Sequence, residues 1–571
     1  MEREVHPTRL KGTWERDPGH FPLPLTPSFA SLYLPWQDAG LTTMFREFGY
    51  LAGRARSALV GGHLYVQVTP LGGWVPPDWL APLAMRLWWL HPLVAARVRR
   101  SVRRLCTGYA ERMIERWYRA WRPQVERELA EAAATDLAAL DDWGLLRHLD
   151  RVCRLAGRNV ALHFCLHGAI APAMERLEEL CRTLPELRGV RAAELVAGLS
   201  TESSAPGRAL RDLAAWLRAR PALLEAAQRL GADVLAGQPE RLAPDFARRL
   251  RAWLATYGHR VVGRYDFVLP TAAEQPTRVM EQVLALAAAP AVTAPEVRVA
   301  RWREAAVAAA RDRLAGPARA EFEAALRAAQ RAYPVRDDNV VLTFNGSFAV
   351  VRYALLEVGR RWQGRVLAER DDVFFLTIEE IRHGLRHGPG VDGGVLGLHA
   401  AARRRMWERQ MAAPPPPLRF GPPVRVPPLD GLPHEAAFMT RAIVDYLRGI
   451  QALPEEEVES VSPACVVRGI PAVAGRYRGV ARVIRGEAEF DRLGAGEVLV
   501  CPMTSPAWSV LFERAGALVT DHGGVLSHPA VLAREYGIPA VVATRDGTHR
   551  IPDGAVVVVD GTAGIITIET A

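Results

Sequence analysis

Lysine is almost missing. Of the 72 basic residues in this 571-residue chain only Lys11 is a lysine, and the rest are arginine. A P-loop requires its Gly-Lys-Ser/Thr and a pyridoxal phosphate enzyme requires a Schiff-base lysine, so neither chemistry fits. Cysteine is scarce as well. The six (Cys106, Cys153, Cys165, Cys181, Cys465 and Cys501) form no C-x-x-C pair, which fits reduced thiols and argues against zinc or iron–sulfur frameworks. No run approaches the ~20 apolar residues of a membrane helix. Even Leu87-Trp88-Trp89-Leu90 is cut off by His91 and Pro92. No N-terminal charged-then-apolar leader is visible. These absences predict a soluble, cytoplasmic protein with no membrane association.

The formal net charge is +9. Arginine pairs bidentately with carboxylates and phosphates, so an anionic ligand suits this composition. The arginines fall mostly in helical patterns, as at Arg97-Val98-Arg99-Arg100 and Arg403-Arg404-Arg405. Base-stacking aromatics are not interleaved with them, which argues against a nucleic-acid module. The length predicts several domains.

Most informative is the stretch Thr520-Asp521-His522-Gly523-Gly524-Val525-Leu526-Ser527-His528-Pro529. It follows an apolar strand, Ala517 to Thr520, and turns through paired glycines into a short helix. Ser527 is the expected N-cap, Pro529 suits the first turn, and Gly537 with Pro539 stops the helix. Free N–H groups and the positive end of the helix dipole favour an arriving phosphate. The same field disfavours imidazolium and keeps a histidine there neutral and nucleophilic. His528 is therefore the candidate phosphoryl acceptor. Gly523, Gly524 and Ser527 shape its loop. Thr504 and Ser505 follow the apolar run 498–501, at the carboxyl end of a strand where such folds bind ligands. Arg534 lies about one and a half turns beyond His528 and reads either as an anion-binding residue or as a surface arginine.

Gly523-Gly524-x-x-Ser527-His528, followed by Ala533-Arg534-Glu535-Tyr536-Gly537-Ile538-Pro539, resembles the phosphohistidine swivelling domain of PEP-utilising enzymes. Ile470-Pro471-Ala472, Thr504-Ser505-Pro506-Ala507-Trp508 and Val559-Asp560-Gly561-Thr562 agree with it in order. His522 and Pro529 depart from the residues more usual there. The resemblance implies a covalent phosphohistidine at His528 and a β/β/α fold for residues 463–571.

The remainder reads as a large, mainly helical domain over 1–410. Tyr65-Val66-Gln67-Val68 after Gly61-Gly62 reads as one strand of a hairpin. A helical pattern runs from about residue 79 to residue 330. Tyr257-Gly258-His259-Arg260-x-x-Gly263-Arg264-Tyr265-Asp266, Pro334-Val335-Arg336-Asp337-Asp338-Asn339 and the opening His20-Phe21-Pro22 resemble the acceptor-binding domain of rifampicin phosphotransferase and its relatives. That resemblance implies an acceptor surface, with His259, Arg260, Arg264 and Arg336 as its candidates. His163-x-x-x-His167 has a spacing metals use, but no third ligand is apparent; an acceptor-pocket role and plain packing stay open, as does any role for His522. Residues 411–462 read as a stiff linker with a four-proline run at 414–417, followed by a helix near Ala436–Leu447.

Together the two resemblances imply a phosphotransferase subunit that carries phosphate on His528. They imply ATP, converted to AMP and phosphate, and Mg2+, held mainly by a separate ATP-grasp subunit, since no nucleotide domain and no C-terminal PEP-binding barrel is found. The acceptor would be a small hydroxyl compound, an alcohol or a phenol. The architecture most resembles the large subunit of phenylphosphate synthases. The other readings are a non-catalytic binding or regulatory protein that retains the swivelling fold, and a single-chain enzyme using an already phosphorylated donor.

Overall fold

The computed structural model describes the chain except residues 1–3, 74–79, 201, 203–204, 261–264, 289–294, 389–392, 423–427, 450–464, 505–507, 525–526 and 570–571. Ser505 and Arg264 thus lie outside the described residues. The fold class expected from the sequence is observed: a large helical part and a C-terminal sheet domain. The chain forms two compact units. One comprises Met1–Arg176, Tyr265–Leu269 and Asn339–Tyr446; the other comprises Leu177–Arg264, Pro270–Asp338 and Leu447–Ala571. These units do not follow a linear division at 411–462, because the helices of 177–338 pack with the C-terminal sheet.

In the first unit, β1 (Trp14–Arg16), β2 (Ala52–Val60), β3 (His63–Pro70) and β4 (Arg419–Phe420) form a sheet of order β2-β3-β1-β4. Gly61 and Gly62 both take positive φ, 56° and 76°, which is why two glycines close the β2/β3 hairpin. Helix Pro27–Phe48 starts on Thr26 and ends at Gly49 with φ 79°, a start and stop written in the sequence. Thr26 is also fastened from afar: Asp266 accepts from its backbone N at 2.9 Å and its hydroxyl at 2.6 Å. Around this joint Phe29 packs edge-on to Phe267 and Phe348, and Tyr33 packs edge-on to Phe344.

Two expectations change here. The described start of the Pro-rich segment is not a free connector. Leu418 accepts from Arg16 N at 2.8 Å, Pro422 accepts from the Thr13 hydroxyl at 2.7 Å, and β4 pairs with β1. Proline lacks an N–H but keeps its carbonyl, so a Pro-rich chain can sit at a sheet edge. Helix His434–Gly449 also packs into this unit through Tyr446 and Arg441. Second, residues Gly316–Trp362 form one long helical run with an apolar window of mean hydropathy 1.3. That window is 78% buried within the protein, as a core helix is. The sequence scan missed it because Arg336, Asp337 and Asp338 interrupt the pattern; Arg336 and Asp338 are themselves buried.

The second unit holds helices Ala205–Arg218, Pro244–Tyr257 and Pro276–Ala288 around Leu210, Leu217, Phe246, Leu250 and Met280. It also holds the eight-stranded sheet. Its strands are β5 (Val466–Arg468), β6 (Ile470–Val473), β7 (Arg476–Val483), β8 (Val498–Cys501), β9 (Ala517–Thr520), β10 (Ala540–Val542), β11 (Val556–Asp560) and β12 (Ile565–Ile568), in the order β5-β12-β11-β7-β8-β9-β10-β6. Strands β7 to β10 are parallel, and every residue of β8, β9 and β10 is buried. This is the continuous apolar run that a parallel strand covered on both faces demands.

Candidate active site

The loop between β9 and helix His528–Tyr536 is built by short-range rules and one distant anchor. Ser527 occupies the N-cap with φ −72° and ψ 160°, Pro529 sits in the first turn, and Gly537 ends the helix at φ 63°. His528 is the first helical residue, the position whose neighbouring N–H groups have no intrahelical acceptor. The Ser527 hydroxyl does not cap the helix, as expected from sequence; it donates to the Gly524 carbonyl at 2.7 Å, alongside the Ser527 N–H at 2.9 Å. The serine thus closes the glycine loop rather than occupying the anion-binding helix end. Gly523 has φ 123°, and a Cβ there would stand 2.7 Å from Ser527 Oγ and 3.1 Å from Pro529 Cγ. No side chain fits without moving the loop.

The β8 and β9 loops run together. Asp521 N–H donates to the Cys501 carbonyl at 3.1 Å and His522 N–H to the Pro502 carbonyl at 3.0 Å, and Thr504 is buried. The distant anchor is Asp521, which the sequence reading passed over. Its buried carboxylate accepts from Thr548 N at 2.9 Å, from the Thr548 hydroxyl, and from the Thr544 hydroxyl at 3.2 Å. Burial raises its pKa, and the bonds from Thr548 and Thr544 oppose that without reversing it. The signal available was an acid immediately before a His-Gly-Gly turn.

Arg534 is 3% exposed, so the surface reading is excluded. It sits in the last turn of the helix, among Tyr333, Arg336, Arg191 and Glu194, and its pKa falls to about 10, first through burial and then through Arg336 and Arg191. Its charged neighbours thus include groups of the helical segment, Tyr333, Arg336, Arg191 and Glu194. Arg336 is held by Asp337 at 3.0 Å over the Tyr333 ring. Arg260, buried, donates to the Glu202 carbonyl at 2.8 Å and has Asp338 among its charge neighbours. Burial and Arg260 together lower the His259 pKa to about 4, keeping it neutral. The structure thus brings Arg336 and Arg534 together and seats Arg260 near Asp338, all in one unit.

A second polar cluster lies in the first unit. His163 Nδ1 is 2.6 Å from Asn339 Oδ1, its ring stacks on Phe344, and its pKa drops to about 3, mainly through burial. His167 Nδ1 is 2.7 Å from the Tyr446 hydroxyl. His20, among the residues that influence His163, holds its Nδ1 3.0 Å from Asp17 Oδ1. Burial acts to lower the His20 pKa, but the charge and hydrogen bond of Asp17 outweigh it and the net shift is upward. The His20 side chain keeps 34% exposure. The neighbouring Phe21 ring packs against Tyr33 and Tyr265 in the core. The sequence signal was Asp17-x-x-His20, an acid–base pair at turn spacing. Among the described residues no group of three or more His, Cys, Asp or Glu side chains is placed to hold a metal ion.

Residues 493–564 match the family "PEP-utilising enzyme, mobile domain", and residues 165–337 match "Rifampicin phosphotransferase fourth domain". Chondramide synthase cmdD of Chondromyces crocatus is 30% identical over 74% of this chain and 11% of its own length. Rifampicin phosphotransferase of Streptomyces sviceus is 31% identical over 70% of this chain and 44% of its own. Phosphoenolpyruvate synthase of Aeropyrum pernix is 42% identical over 20% of this chain and 14% of its own. The chain spans less than half the length of these relatives. Both family matches fall largely in the second unit, and the chain is similar there to the mobile domain of PEP-utilising enzymes and to the fourth domain of rifampicin phosphotransferase.

Proposed function

We propose that this chain is a phosphotransferase that carries phosphate on His528 and delivers it to a small hydroxyl acceptor. The observation that carries the reading is the placement of His528 as the first residue of a helix, behind a glycine loop in which Gly523 leaves no room for a side chain. In this reading a separate ATP-grasp subunit holds ATP and Mg2+, charges His528, and releases AMP and phosphate. Mg2+ is assigned to the partner in this reading, and no step below depends on a metal held by this chain.

The acceptor step uses the first unit. An acceptor hydroxyl gives its proton to the His20 ring, oriented by Asp17, while its oxygen attacks the phosphorus. The O–P bond forms as the N–P bond of phosphohistidine breaks. The bonding pair returns to the His528 ring, which takes a proton from solvent as His20 releases one. Splitting the transfer lets donor and acceptor pockets be built apart.

The test is acid-labile labelling of the purified chain by ATP labelled at the β or γ phosphate, with and without host lysate. Lysate-dependent label that is absent from His528→Ala supports the reading. Absence of label with the ATP-grasp partner present favours a binding or regulatory protein, and label without any partner favours a self-sufficient enzyme.

A further inference from the structure

A groove of about 660 Å³ opens in the first unit. Three elements build it. The β2/β3 hairpin supplies Gly53, Arg54, Arg56 and Thr69; helix Pro27–Phe48 supplies Thr42 and Arg46; helix Pro92–Cys106 supplies Leu93, Ala96, Arg97 and Arg100. The spacing explains the convergence. Arg54 and Arg56 are two apart on a strand, Thr42 and Arg46 four apart on a helix, and Arg97 and Arg100 three apart on another, so each pair shares one face. Gly53 forms tight floor: a Cβ there would lie 2.6 Å from the Thr69 carbonyl oxygen.

The charge balance sets this groove apart. Elsewhere the arginines of this protein hold carboxylates closely, as Arg403 does Glu380 at 2.6 Å, Arg361 does Glu357 at 2.8 Å and Arg482 does Glu497 at 2.6 Å. No acidic residue is among the described residues lining the groove. Arg46 reaches Glu47 only at 3.8 Å. Arg97 and Arg100 donate to backbone carbonyls, of Tyr50 at 3.5 Å and Arg46 at 2.9 Å. Arg54 and Arg56 are exposed. Burial, then Arg100 and Arg46, push the Arg97 pKa down, the sign of cations held together without an anion. Such an arrangement is self-repelling until a negative ligand enters.

We infer that this groove binds a small polyphosphorylated ligand, its phosphates taken by Arg46, Arg54, Arg56, Arg97 and Arg100. Guanidinium forks match phosphate oxygens bidentately. The volume is that of a small-molecule pocket rather than of a track for a nucleic-acid duplex. The site is independent of His528 and of the proposed function.

The experiment is calorimetric titration of the full chain with inorganic tripolyphosphate at low and at physiological salt. The expected result is saturable binding that weakens as salt rises, and a loss of at least about tenfold in affinity in the double variant Arg54→Ser, Arg56→Ser. Both side chains are exposed, so an unchanged circular dichroism melt will separate lost binding from lost fold. No saturable binding by the wild type, or equal affinity in a folded double variant, overturns the inference. A parallel arm uses vesicles rich in a polyphosphoinositide. Retention that fails in the double variant assigns the phosphates to lipid headgroups, and tripolyphosphate binding without retention assigns them to a soluble ligand.

Discussion

The Arg211 guanidinium donates to the Glu513 carboxylate at 2.8 Å and also pairs with Glu296. Helix Ala205–Arg218 is thereby tied to the end of the short helix Ser509–Phe512 in the sheet domain. The Tyr536 carbonyl is held in the same unit by Arg298, and Arg534 is buried close by among Tyr333 and Arg336. The helix that begins with His528 is thus held at its far end by polar contacts from Arg211 and Arg298 to Tyr536. Polar contacts of this kind can be exchanged for water more cheaply than an apolar core can.

Arg211→Ala is expected to loosen this attachment by about 1–3 kcal/mol, because it leaves Glu513 without its donor. Hydrogen exchange in residues 528–536 should accelerate while β8 and β9 stay protected. Unchanged exchange along the helix would show that Arg211 does not hold it.

His528→Ala should remove all acid-labile phosphate and all acceptor phosphorylation, while the helix His528–Tyr536 keeps its N-cap Ser527 and its Gly537 stop. Gly523→Ala should act differently. Its Cβ collides with Ser527 Oγ in a backbone region that L residues rarely adopt, so both labelling and thermal stability should fall. Retention of full labelling in Gly523→Ala would mean that the loop tolerates a different path.

The Asp17–His20 pair sets a pH dependence. The pKa of His20 is raised in the folded protein. A base must be neutral, so the acceptor step should speed up as pH rises through a value above that of free histidine. The stability contributed by the pair has the opposite sign: it is fully present below the unfolded pKa and is lost as pH rises through the folded one. Asp17→Asn should move the rate profile to lower pH and leave His528 labelling intact. A profile that does not move would assign the proton to another group.

Asp266 predicts a slope in stability. Burial raises its pKa to about 6, against the pull of bonds from Thr26 and Val268. Between about 4 and 6 the folded state holds a proton that the unfolded state has lost, so stability falls as pH rises through that window. Asp266→Asn should flatten the slope. Asp266→Ala should cost about 2–4 kcal/mol, because the buried Thr26 N–H, Thr26 hydroxyl and Val268 N–H lose their acceptor. Denaturant titrations at pH 4 and pH 7 measure both.

The loop before His528 was legible because its rules act within ten residues: Thr520 ends a buried strand, Gly523 turns the chain, Pro529 opens the helix and Gly537 closes it. Hairpin closure by Gly61-Gly62 and the helix start at Thr26-Pro27 were legible for the same reason. The side-chain partners were not. Ser527 has the residue type of a cap, yet its hydroxyl turns back to Gly524. Arg534 has the residue type of a surface helix position, yet it is buried.

The sequence by itself determined the glycine-closed hairpin, the start and stop of the helix after the glycine loop and which histidine stands at its N-terminus, because φ/ψ preferences and missing N–H groups are properties of neighbouring residues. Tertiary structure alone decided the rest. His163 meets Asn339 across 176 positions and Thr26 meets Asp266 across 240. The arginines of the groove come from a hairpin and two helices, and the Pro-rich segment becomes the edge of a sheet laid down by the first seventy residues. Contacts at such separations are chosen by which surfaces can bury one another, and that is settled only when the whole chain has packed.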